Sequence, residues 1–191
     1  MLRWGTCTLG VSADERGGYR QTSKTGLFMW GPPDVTSIVD PPFTQLERNL
    51  TDLGDHHKSP GGRISMQWVP TMRWAVRNKW LFNTVINTLC ARDRLQTNGE
   101  LLPRLPEMQA YFAEAWALGM ELFQEKWPFS ESDVWSGLCK LVDATAANEN
   151  SMARDVRLGR KTEIDFLAGL ARKYGNRFPL LVAAADEIDG R

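Results

Sequence analysis

Apolar and polar positions change their period once along this chain, near residue 70. Before it, apolar runs are short and broken by glycine, proline and charged clusters, the pattern of strands and turns. Residues 6–11 read as a first strand, 14–18 as a turn, 19–22 as a second strand and 26–31 as a third, closed by Pro32-Pro33. Pro41-Pro42 open a helix over 43–53, with Leu46, Leu50 and Leu53 on one face. Residues 54–62 read as a polar loop holding His56 and His57, and 64–69 as one more strand, ended by Pro70. From Met72 the apolar positions recur at helical spacing. A central helix is expected over 72–92, and a loop at 96–99. A long helix opens at Pro106 and runs to 126, with Pro128 beyond it. The next starts at the cap-like Ser130-Glu131-Ser132-Asp133 and runs to 147. Shorter helices are expected over 151–158 (stopped by Gly159), 162–174 (stopped by Gly175) and 180–188.

The central helix carries a stripe that its apolar faces do not explain. Lys79, Asn83 and Asn87 fall at i, i+4 and i+8 and share one side. Trp80, Leu81, Phe82, Val85 and Ile86 wrap the others. Burying an ammonium and two amides unpartnered costs about 1–3 kcal/mol each, more for the charge. Either the stripe is solvated, or a carboxylate, water in a cleft or a polar ligand meets it. Two later clusters offer company. Asn148-Glu149-Asn150-Ser151-Met152 joins two helices, and such joints present side chains to clefts. Glu163 stands at a helix start, where an acid complements the helix dipole and Thr162 can cap; that local role competes with a functional one.

Composition narrows the classes. The 191 residues suit one domain or slightly more. Lys+Arg and Asp+Glu balance at 23 each, which gives no support for nucleic-acid binding or a basic membrane surface. The eight tryptophans, with Trp68, Trp74 and Trp80 six apart, read as packing residues around the start of the central helix. Cys7, Cys90 and Cys139 are scattered, so neither a disulfide frame nor a metal site is expected, and a reducing cytoplasm is the natural setting. His56-His57 lacks the neighbours of a metal site. No apolar run nears the ~20 residues that span a bilayer, and the first residues do not form a signal peptide.

Taken together, three motifs resemble the C-terminal half of ketopantoate reductase (2-dehydropantoate 2-reductase). They are Lys79-(x3)-Asn83-(x3)-Asn87, then Asn98-Gly99-Glu100-Leu101, then Ser151-Met152-(x2)-Asp155-(x4)-Gly159-Arg160-(x)-Thr162-Glu163-Ile164-Asp165. The last is the most specific. Gly5-Thr6-Cys7-Thr8 and Phe28-Met29-Trp30-Gly31-Pro32 resemble the last strands of that family's nucleotide-binding domain. The resemblance implies a mainly α (α+β) fold. A helical domain like that of 6-phosphogluconate dehydrogenase relatives, residues 71–191, follows the end of a Rossmann-type domain, residues 1–70.

The resemblance also implies chemistry: NADPH-dependent reduction of 2-dehydropantoate in pantothenate and coenzyme A biosynthesis. By that carry-over Lys79 is the general acid. Asn83, Asn87, Asn98, Asn148 and Ser151 hold the substrate. Glu163 serves the cofactor side and pairs with Lys79 in the empty site. The backbone at Val11 meets the cofactor. Several positions depart from the family. No Gly-x-Gly-x-x-Gly turn occurs in these residues, so NADPH binding by the chain alone is expected to be very weak. Thr88 stands where proline is usual, Leu9 where histidine is frequent and Arg77 where tryptophan is common. A homodimer or a separately encoded nucleotide-binding partner is implied, and the open strands at 6–11 and 28–31 predict self-association. The competing expectation is a catalytically silent remnant or interaction module.

Overall fold

The computed structural model describes residues 4–7, 11–13, 19–21, 25–31, 58–59, 62–69 and 72–190. They fall into two compact units, Met1–Val76 and Arg77–Arg191.

The first unit is built on a mixed sheet. Its strands are β1 (Trp4–Cys7), β4 (Thr25–Gly31), β5 (Lys58–Ser59) and β6 (Gly62–Trp68), in the order β1-β4-β6-β5. β4 runs parallel to β6, with Phe28 beside Met66, and antiparallel to β1, with Thr6 beside Met29. A separate antiparallel pair joins β2 (Val11–Ala13) to β3 (Tyr19–Gln21). The single strand expected over 6–11 is therefore two elements, β1 ending at Cys7 and β2 beginning at Val11. The loop expected over 54–62 contains β5, whose Lys58 and Ser59 pair with Arg63 and Gly62. A tight hairpin of polar residues leaves no apolar alternation to read. The helix expected over 43–53 and the His56-His57 pair lie outside the described residues. At Gly31 a side chain is excluded, since a Cβ there would lie 2.0 Å from the Val69 carbonyl oxygen.

The second unit is helical. Helix α1 (Arg73–Arg92) enters it at Arg77. There follow a 3-10 helix (Asn98–Arg104), α2 (Leu105–Phe123), α3 (Glu131–Ala144), α4 (Ser151–Arg157), 3-10 helices Ile164–Phe166 and Ala168–Arg177, and α5 (Pro179–Asp189). The caps explain the boundaries. Pro106 sits in the first turn of α2, where its missing N–H costs nothing. The Ser130 hydroxyl accepts from Asp133 N at 3.1 Å and starts α3. Gly159, at φ +62°, stops the chain after α4. The helix expected over 162–174 is instead two 3-10 pieces. Gly169 packs so closely on the Ile164 carbonyl that a Cβ would lie 2.9 Å from its oxygen, and the tighter coil follows that approach.

The core forms around α1. Leu81, Val85 and Leu89 are fully buried against Met108, Phe112 and Leu118 of α2 and Leu138 of α3. Trp80 meets Phe123 edge-on at 5.3 Å, and Trp116 meets Trp127 at 4.9 Å. The aromatic excess is packing, as the spacing of the tryptophans suggested for Trp80. Arg77 adds a guanidinium over the Phe123 ring at 4.6 Å while pairing with Glu125 at 3.0 Å.

Cys90 lies in this core. Burial pushes its thiol up to about 12, with Glu100 and Asp93 adding to the rise. At pH 8 it is almost entirely protonated, and the thiolate is the reactive form. A thiol-reactive disulfide reagent is therefore expected to label exposed Cys7 in the native chain and Cys90 only after unfolding. Native labelling of Cys90 within minutes would contradict this placement.

Candidate functional site

Along α1 the polar stripe sinks into the protein. Lys79 is exposed, Asn83 half-buried and Asn87 only 7% exposed. Residues 84–91 are all buried, so Asn87 is an amide on a helix with no wet face. The helix continues through Thr88, where an N–H is available that proline would lack.

Two loops are drawn together opposite Asn87. Asn98 N donates to Asn148 O at 3.1 Å, Gly99 N to Ala146 O at 3.0 Å, and Asn150 N to Gln96 O at 3.1 Å. Arg157, in the last turn of α4, ties the same pair of loops through Glu149 (2.6 Å) and the Leu95 carbonyl (3.3 Å). The Glu100 carboxylate accepts from the backbone N–H groups of Thr97 and Gln96, which hold it below the ordinary carboxylate range. The close approach depends on Gly99, because a Cβ there would lie 2.8 Å from Ala146 O. Gly99→Ala is expected to destabilise the chain by about 1–3 kcal/mol, read as a lower urea midpoint. An unchanged midpoint would show that the loops give way freely.

The loops deliver a row of amides. Asn150 caps α4, its Oδ1 accepting from Ala153 N at 3.1 Å. Its Nδ2 donates to Asn87 Oδ1 at 3.0 Å and to Asn98 Oδ1 at 3.1 Å. Asn87 Nδ2 donates to Glu163 Oε1 at 2.9 Å, and Asn98 Nδ2 to Thr145 Oγ1 at 3.1 Å. Glu163 is held in place by its surroundings. Phe166 N donates to the Glu163 carbonyl at 3.0 Å, and Trp80 Nε1 on α1 donates to the Phe166 carbonyl at 3.0 Å. Beside Glu163 opens a cleft of about 520 Å³ lined by Ser151, Met152, Asp155, Lys161, Thr162, Glu163 and Phe166. It offers two carboxylates, one ammonium, two hydroxyls and an apolar wall, a lining suited to a small hydroxylated or oxo ligand.

The structure thus brings together Asn87, Asn98 and Glu163, and sets Ser151 and Glu163 on one cleft. Asn148 takes part through its backbone. Lys79 and Asn83 stand on the line of α1 that leads to Asn87. Val11 lies on β2 opposite Gln21, in the first unit. Glu163 caps only the three-residue Ile164–Phe166 turn, too short for a helix-dipole role. Asn150 escaped the sequence reading, although an Asn immediately before a helical run is a cap signal and was available. Among the described residues no group of three or more His, Cys, Asp and Glu is placed to hold a metal, and no helix is long and apolar enough to cross a membrane.

Comparison with known proteins agrees with this geometry. Residues 71–188 match the family model described as ketopantoate reductase PanE/ApbA C terminal. The 2-dehydropantoate 2-reductase of Salmonella typhi is 34% identical over 116 residues, covering 59% of this chain and 37% of that protein. The chain thus matches little more than a third of that relative's length. The crystal structure of a probable 2-dehydropantoate 2-reductase from Bacillus subtilis aligns with 98% of the chain and 60% of its own, at TM-score 0.63 and 22% identity. D-mandelate dehydrogenase, solved with NADH and anilino(oxo)acetate, aligns over 98% of the chain and 59% of its own at TM-score 0.69 and 16% identity. These likenesses carry the fold, a helical domain following a mixed sheet. With its amide row and the family model spanning most of its length, the chain belongs to the ketopantoate reductase family.

Proposed function

We propose that this chain carries the substrate-holding half of an NADPH-dependent reductase acting on 2-dehydropantoate or a related 2-oxo acid. One observation supports the reading above others: the buried Asn87 amide lies between Asn150 and Glu163 on the same helix line as Lys79. A 2-oxo acid presents carboxylate and ketone oxygens, which only accept. Asn83, Asn87, Asn98, Asn148 and Ser151 supply N–H and O–H donors toward them.

NADPH, when bound, supplies the hydride that makes the ketone carbon tetrahedral. The residues fit that cofactor in part. Glu163 offers an acceptor for a sugar hydroxyl, and the Val11 backbone a further contact. The acid-lined cleft does not suit a diphosphate, and the 191 residues contain no glycine-rich turn. The steps assigned to this chain are therefore orientation and proton delivery. The ketone oxygen gains negative charge as its carbon is reduced. Lys79 Nζ stabilises that charge and transfers its proton to the oxygen, leaving a neutral amine that solvent reprotonates. The helical domain begins near residue 71, the residues before it belong to the nucleotide-binding side, and the protein works in the cytoplasm as a homodimer or with a nucleotide-binding partner.

The test is NADPH oxidation with 2-dehydropantoate, using the 191-residue chain alone and with a relative's nucleotide-binding domain added in trans. Little turnover alone and clear turnover in trans are expected. No turnover in either would refute the proposal. A micromolar dissociation constant for NADPH with the chain alone would contradict the assignment of phosphate binding elsewhere.

A further inference from the structure

The direction of the amide row follows from a single backbone group. Ala153 N–H can only donate, so the Asn150 atom facing it is the carbonyl oxygen. The Asn150 NH2 then faces Asn87 and Asn98, and both must turn their oxygens toward it. Their own NH2 groups consequently point away, toward Glu163 and Thr145. Asn150 is 3% exposed, so water does not substitute for any of these partners. We infer that Asn150 is a positioning residue that sets the polarity of the row, fixing Asn87 and Asn98 as donors for an acceptor-only ligand. This rests on the 2-oxo acid reading for the identity of the ligand, and on the hydrogen bonds alone for the polarity. Each NH2 carries two hydrogens. Asn87 gives one to Glu163 and Asn98 gives one to Thr145, which leaves each a second N–H for a carboxylate or ketone oxygen.

Asn150→Asp separates polarity from capping. Aspartate caps a helix as well as asparagine, so Ala153 N keeps its acceptor. The second carboxylate oxygen, however, faces the oxygens of Asn87 and Asn98. Asn98 can turn over cheaply, because the Thr145 hydroxyl can rotate from the Leu141 carbonyl to donate to it. Asn87 cannot, because turning over sets its oxygen against the Glu163 carboxylate, which only accepts. Glu163→Gln removes that obstacle: a glutamine amide accepts from Asn87 in the native row and donates to it in the reversed one.

The experiment is a thermal cycle on the full 191-residue chain. N150D is expected to lower Tm by about 4 °C, E163Q to leave it unchanged, and N150D/E163Q to recover most of the loss. A double variant as unstable as N150D, or an N150D with unchanged Tm, would overturn the inference. Titration with 2-dehydropantoate supplies the second readout. Binding to N150D is expected to weaken by about tenfold, the equivalent of one lost hydrogen bond to a charged group. Equal binding by wild type and N150D would also overturn it. A wild-type chain that binds no 2-oxo acid would sink the proposed function, while the thermal cycle would still decide the polarity of the row.

Discussion

Lys79→Ala is expected to cut NADPH-dependent turnover of 2-dehydropantoate by about 10²–10⁴-fold, the usual range for a positioned general acid, in whichever assembly turns over. The fold will not be the cause. Lys79 is exposed on α1, and alanine is the better helix former, so circular dichroism and Tm should match wild type. Lys79→Arg divides the two roles. A guanidinium keeps the positive charge beside the developing alkoxide but does not give up its proton in the accessible pH range. Arginine should therefore restore part of the loss and abolish the alkaline limb of the kcat profile. Turnover within threefold of wild type in Lys79→Ala would remove the residue from the chemistry.

Legibility followed the physics of each element. Helices α1, α2 and α3 were readable because each has a long apolar face and a local boundary signal: the change of period at Met72, Pro106 and the Ser130 cap. The polar stripe of α1 was also readable, because a lysine and two asparagines at spacing four interrupt an otherwise apolar helix. What met Asn87 was not. Glu163 lies 76 residues away and arrives on a 3-10 turn that Trp80 holds through the Phe166 carbonyl. Periodicity predicted an α-helix there, since apolar spacing cannot distinguish a 3-10 coil imposed by the Gly169 approach. The 3-10 helix Asn98–Arg104 was missed for a related reason, having Pro103 inside it and one buried side chain, Leu101. Asn150 was passed over in favour of Asn148 and Ser151, because the resemblance named its neighbours and the capping pattern alone pointed to it.

Arg92→Met is expected to destabilise the chain by about 2–4 kcal/mol, more than any other single substitution on the second unit's surface network. The Arg92 guanidinium binds Asp93 with two hydrogen bonds, Nε to Oδ1 at 2.6 Å and Nη2 to Oδ2 at 2.7 Å. It also donates to Glu107 and to the Tyr111 hydroxyl, each at 2.5 Å, and its Cζ lies 5.2 Å from the Tyr111 ring centroid. Arg104 meets the same two carboxylates, at 2.5 Å to Asp93 and 2.6 Å to Glu107. Breaking a fully buried pair costs about 3–5 kcal/mol. The figure is lowered because the acids are 22% and 34% exposed and partly screened. Methionine keeps the packing on Tyr111, so the loss reports the charge.

The pH dependence has a determined sign. Burial pushes the Asp93 carboxyl up, but its hydrogen bonds and charge pairing with Arg92 and Arg104 prevail and hold it below the ordinary 3.8. The unfolded chain binds this proton more tightly than the folded one. The pair's contribution is thus fully present above the ordinary carboxylate value, and it is lost as pH falls through the lowered folded value. Urea midpoints for wild type should fall between pH 5 and the acid limit with a slope to which Asp93 contributes. In Arg92→Met that slope should shrink while the midpoint at pH 7 drops. Arg104 remains on Asp93, so a residual acid slope is expected. A variant as stable as wild type at pH 7, with the same acid slope, would show that the network is decorative and that helices α1 and α2 are held by Leu89, Met108 and Phe112 alone.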